Sequence, residues 1–80
     1  MRVEVRLFAT LVEHVAGRTA GDPFPVDLAD GSTLSDLLER LGVPPGEVHL
    51  AIVNGRAVQG LSATLAEGDR IGLFPPVGGG

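Results

Sequence analysis

The stretch "STLSDLLERLG", residues 32–42, limits the fold most strongly. Leu34, Leu37, Leu38 and Leu41 recur at i, i+3, i+4 and i+7, which predicts a helix with one apolar stripe. Thr33 and Asp36 form a weaker version of a capping box, and Gly42 followed by "VPP" ends the helix. A single striped helix must bury that stripe against something. The rest of the chain supplies strands.

"RVEVRLF" (2–8) alternates, with Val3, Val5 and Leu7 on one face and Arg2, Glu4 and Arg6 on the other. This predicts a half-buried strand with one face turned to water or to a partner. "PFPVDLA" (23–29) alternates too, and Pro23 and Pro25 confine it to a sheet edge, because proline cannot donate to a ladder. "VHLAIVNGRAV" (48–58) is two apolar runs around Asn54-Gly55, a strong hairpin signal. "RIGLF" (70–74) is a last strand entered through a Gly68-Asp69 turn. Between these, "ATLVEHVAG" (9–17) reads as one or two helical turns, and "GLSATLAEGDR" as a connection with at most one irregular turn. The order β, short α, β, α, β-hairpin, β gives a two-layer α+β domain. Its mixed sheet has four or five strands, and the helix at 33–41 packs on one face.

Eighty residues make one domain. A stability of about 4–12 kcal/mol is expected for that length. There is no cysteine, which excludes a disulfide scaffold, a thiolate metal site and a cysteine nucleophile. Met1 opens directly onto a strand with no signal-like or membrane-spanning run, so a cytoplasmic location is expected, with no membrane partner. The formal charge of −4 and the lack of a basic cluster argue against nucleic acid and for a protein partner with a basic surface. His14 and His49 have no sequence-local partner that would make either a catalytic base. Each reads as a structural histidine, and neither argues for zinc. Ser32, Thr33 and Ser35 are explained by helix capping. No catalytic group, metal site or bound cofactor is expected. The charged side chains include six arginines and no lysine.

The chain ends "LFPPVGGG" (73–80). Pro75-Pro76 directs the chain away from the last strand in an extended path. From Pro76 to Gly80 the reach is about 16 Å. Gly78, Gly79 and Gly80 present backbone only, so they could thread a passage too narrow for a side chain. Composition alone leaves two readings open, a frayed end or a working end. If Ile71 and Leu73 face the helix, period-two alternation turns Gly72 and Phe74 outward. Phe74 would then mark a docking patch beside the tail, or pack on Pro75 or a nearby loop.

The pattern "VNG…L.EGDRIGLFPPVGGG", with "VRLFATLVEHVAG" and "STLSDLLERLG" before it, resembles the MoaD/ThiS family of ubiquitin-like sulfur carriers over essentially the whole chain. The resemblance implies a β-grasp domain over residues 1–74 and a flexible tail over 75–80, with the first and last strands adjacent. It implies that an E1-like activating enzyme of the MoeB/ThiF type adenylates the Gly80 carboxylate with Mg-ATP. Sulfur from a donor then makes a thiocarboxylate. Gly78 and Gly79 would keep the passage clear, while Phe74, Pro75, Pro76, Val77 and Arg6 would dock the partner, with Arg2 and Glu4 completing a polar rim. "FPPV.GG" resembles the MoaD type, which donates sulfur to a molybdopterin precursor within a MoaE-type large subunit. Gly78 departs from the commonest tail of that type, leaving room for carriers serving thiamin, cysteine or tRNA thiolation. A protein modifier joined through Gly80, or a plain interaction domain, are the rival classes.

Overall fold

The computed structural model describes residues 1–76, and the expectations for Val77, Gly78, Gly79 and Gly80 lie outside the described residues. Among the described residues five strands and one α-helix make two layers: β1 (Arg2–Leu7), β2 (Phe24–Asp27), α1 (Leu34–Leu41), β3 (Leu50–Val53), β4 (Arg56–Val58) and β5 (Arg70–Phe74). The sheet order is β2-β1-β5-β3-β4. Only the central pair β1 and β5 is parallel, with Glu4 opposite Arg70 and Leu7 opposite Leu73. The two antiparallel pairs flanking it, β1 with β2 and β3 with β5, make the sheet mixed. As its prolines require, β2 lies at an edge.

The alternating residues sort as expected. Val3, Val5, Leu7, Ile71 and Leu73 are buried beneath α1, where Leu34, Leu37 and Leu38 meet them in one core. Leu41, the last of the stripe, is half-buried at the core's margin. Thr33 caps α1 with a full capping box, since Asp36 N–H donates to Thr33 Oγ1 and the Asp36 carboxylate accepts from Thr33 N–H. Gly42 closes the helix in the left-handed region at φ 76°. That conformation strains any residue with a Cβ.

The first four N–H groups of a helix have no partner inside it. Here the connection 59–69, expected to hold at most a turn, satisfies two of them. Leu34 N–H donates to Ala63 C=O (3.1 Å), and Ser35 N–H to Leu61 C=O (3.0 Å). Thr33 and Thr64 form an isolated bridge, and Leu65 is buried in the core. This segment is therefore a strap over the helix start, and it contains no helical turn.

Residues 9–17 also differ from expectation. Ala9–His14 forms a 3-10 helix, and the chain is extended again at Val15 before reaching Gly17. Its bonds are of the tighter kind, Leu11 N–H to Phe8 C=O and Val15 N–H to Val12 C=O (both 3.2 Å). With only Leu11 buried and no side-chain cap, too little holds the segment to propagate an α-helix. A second 3-10 turn, Pro45–Glu47, follows α1. The two are joined by His14, whose Nε2 lies 3.0 Å from Glu47 Oε1. His14 thus has a structural partner remote in sequence, and His49 is exposed on the approach to β3. Among the described residues no three His, Cys, Asp or Glu side chains gather to hold a metal ion, and no helix is long and apolar enough to cross a membrane.

Candidate functional site

The candidate site is the root of the C-terminal tail and the sheet face beside it. It begins at the far end of β5, where the Asn54-Gly55 turn has φ 53° and 83°, both left-handed as a tight hairpin requires. The Asn54 side chain reaches across to β5. Its Oδ1 accepts from Arg70 N–H and its Nδ2 donates to Asp69 Oδ1 (both 2.9 Å). Asp69 Oδ2 accepts from Ala66 N–H at 2.8 Å. Asn54 and Asp69, whose turns are separate motifs in the sequence, therefore clamp the start of β5 and fix its register.

That register sends Ile71 and Leu73 inward and Gly72 and Phe74 outward, as the alternation predicts. At the tail end, β5 is held from both sides. Phe8 N–H donates to Leu73 C=O (3.1 Å), and His49 N–H to Phe74 C=O (2.8 Å). Pro75 then has no N–H to continue the ladder, so the chain leaves the sheet there. Pro75 is half-buried and Pro76 exposed.

Phe74 packs on the connection that leaves β1, one of the placements expected for it. It stacks on Phe8, with ring centroids 4.3 Å apart and planes within 4°. Such a pair contributes about 0.5–1.5 kcal/mol beyond its area. Extending the parallel register of β1 and β5 by one residue sets Phe8 beside Phe74. Continuing the alternation of "RVEVRLF" by one residue puts Phe8 on the face of Arg2, Glu4 and Arg6, but Phe8 gains significance only through the pairing of strands remote in sequence. Gly72 lies beneath both rings, where a Cβ would meet Phe8 Cε2 and Phe74 Cε1 at 3.4 Å each, an ordinary van der Waals contact.

Below the rings the face forms an open concavity of about 310 Å³, lined by Phe8, Phe74, Ile52, Arg6, Glu4 and Arg70. Arg6 is half-exposed, and its Nη2 lies 3.6 Å from Glu4 Oε1. The expected rim is corrected at Arg2. That side chain turns to the sheet edge, where its Nε donates to Asp27 Oδ1 at 2.9 Å, and it does not border Phe74. This hydrogen bond, with the opposite charges, holds the Asp27 carboxyl below its ordinary value and the Arg2 guanidinium above its own. The site thus offers an aromatic platform with a glycine floor and guanidinium flanks. It has the features of a docking surface.

A five-stranded mixed sheet crossed by one helix, its central last strand running into a C-terminal tail, is the β-grasp of ubiquitin-like carriers and modifiers. The chain belongs to the ThiS family, whose model matches residues 5–80. Among curated proteins it is similar to small archaeal modifier protein 3 of Haloferax volcanii, 34% identical over 96 aligned positions that cover all of both chains. The crystal structure of SAMP1 from Haloferax volcanii superposes with a TM-score of 0.70 at 32% identity, covering all of both chains. A chain of the complex of subunits 1 and 2 of the molybdopterin-converting factor from Helicobacter pylori does so with a TM-score of 0.57 at 29% identity, again over all of both chains.

Proposed function

We propose that the protein is a sulfur carrier whose cargo is held on the carboxylate of Gly80. A carboxylate is a poor acyl donor. An E1-like activating enzyme, using Mg-ATP, converts it to an acyl adenylate with release of pyrophosphate. A sulfide-level donor then attacks the acyl carbon and displaces AMP, leaving a thiocarboxylate. The carrier itself supplies no catalytic group; residues 75–80 supply reach, and the face around Phe74, Arg6 and Pro75 supplies docking. The observation that carries this reading is the tail root: β5 is hydrogen-bonded on both sides up to Phe74 and leaves the sheet at Pro75, directly beside the stacked aromatic pair. Gly78 and Gly79 then pass through the enzyme's channel, and Pro76 and Val77 line its mouth.

For the acceptor we favour a molybdopterin precursor held by a MoaE-type large subunit. Support comes from the "FPPV.GG" tail and from likeness to a chain of the Helicobacter pylori complex. A second reading, in which Gly80 is joined to an amine of a partner protein, is favoured by likeness to two archaeal modifiers. Both begin with the same adenylate. ATP–pyrophosphate exchange catalysed by a MoeB/ThiF-type enzyme tests that shared step. Exchange should depend on the full chain and vanish when residues 78–80 are deleted, while the far-UV circular dichroism of the shortened chain stays unchanged. Exchange that persists without the three glycines would overturn the assignment.

A further inference from the structure

An activated acyl group next to its own protein body faces a chemical hazard, and the composition of the docking face bears on it. Two cations, Arg6 and Arg70, line the concavity under Phe74, and both are guanidinium groups. Charge complementarity to a partner would be served equally well by lysine. The chemistry would not. A lysine amine, with an ordinary pKa near 10.4, is neutral in roughly one molecule per thousand at pH 7.4 and is then a good nucleophile. A guanidinium stays protonated and delocalised, with no lone pair to offer. The six Lys-or-Arg positions among the 80 residues are all arginine.

We infer that arginine at positions 6 and 70 is a specificity device: it keeps guanidinium cations on the docking face while denying the activated Gly80 a side-chain amine beside the tail. This rests on the adenylation reading above. Arg6 pairs with Gly72 in the β1–β5 register, three residues before Pro75, and Arg70 lies five residues before it. Those separations are about 10 Å and about 17 Å along the strand, the second bridged with the help of a lysine side chain. The chain from Pro75 to Gly80 has a contour of about 16–20 Å. An adenylate released from the enzyme therefore reaches position 6 or 70 at the millimolar effective concentration typical of a short tether. With lysine there, the Nζ lone pair attacks the acyl carbon and the bond to the phosphate oxygen breaks. AMP leaves with the electron pair, the nitrogen gives a proton to solvent, and the tail closes into a ring. With arginine, the adenylate waits for sulfur or an external acceptor.

The test uses Arg6→Lys and Arg70→Lys in the full chain, incubated with an activating enzyme and Mg-ATP but no sulfur donor. A parallel sample contains hydroxylamine, which traps the adenylate as a hydroxamate. Intact mass is read in both. Both variants should give a circular product lighter by one water, about tenfold or more above wild type per hydroxamate trapped. Arg40→Lys, on the exposed side of α1, should match wild type. If the hydroxamate forms but Arg6→Lys and Arg70→Lys stay as linear as wild type, the inference is overturned. Equal ring formation by Arg40→Lys would overturn the assignment to this face. Absence of hydroxamate from wild type would instead sink the adenylation reading itself.

Discussion

Phe74→Ala is expected to weaken binding to the activating enzyme by about 30-fold or more, the ~2 kcal/mol of a docking hot spot. Phe74 is half-buried in the free protein, stacked on Phe8 over the Gly72 floor. Truncation removes the aromatic surface that stands directly over the departing tail. It also strips Phe8 of its stacking partner, so the remaining ring loses its fixed orientation. The fold should tolerate the change, because Phe74 lies on the face opposite α1 and is absent from the buried core. Its stability should fall by only about 1 kcal/mol, the scale of the lost stack. Calorimetric titration against the activating enzyme, beside denaturant unfolding of the free variant, separates these effects. Unchanged affinity would remove this face from the docking account.

Leu37→Ala should have the opposite profile, with a stability loss of about 3 kcal/mol and no direct effect on docking. Leu37 is completely buried on the stripe of α1, among Val5, Leu7, Ile71 and Leu73 of the central strands. Those strands are the pair that positions the tail root. In a domain of about 4–12 kcal/mol total stability the loss is a large fraction. It corresponds to a midpoint lowered by roughly 12–24 °C, at about 4–8 °C per kcal/mol. Leu41→Ala, at the half-buried end of the same stripe, should cost clearly less. A thermal midpoint for Leu37→Ala within a few degrees of wild type would mean that α1 does not seal the core as described.

The features that could be read from sequence were those carried by local periodicity. The leucine stripe, its Thr33 and Gly42 boundaries, the Asn54-Gly55 hairpin and the parity of "RIGLF" each sit within one element, and the structure places them as read. Features needing long-range pairing were not legible. Phe8 and Phe74 become neighbours only through the parallel register of β1 and β5, which no local pattern sets. The same holds for His14 with Glu47, and for the strap at 61–65 that satisfies the start of α1. Residues 9–17 read as one or two helical turns because their apolar spacing fits either helix type, and the structure forms these turns as a 3-10 helix over Ala9–His14, with Leu11 its one buried residue.

The central claim is that Gly80 becomes a thiocarboxylate. Its most direct test is the intact mass of the full chain after incubation with a MoeB/ThiF-type enzyme, Mg-ATP and a sulfur donor, with a chain lacking residues 78–80 alongside. The account predicts a gain equal to one oxygen replaced by sulfur, confined to the chain that keeps its glycines and dependent on ATP. A full chain whose adenylate forms, yet whose mass never acquires sulfur, would contradict it.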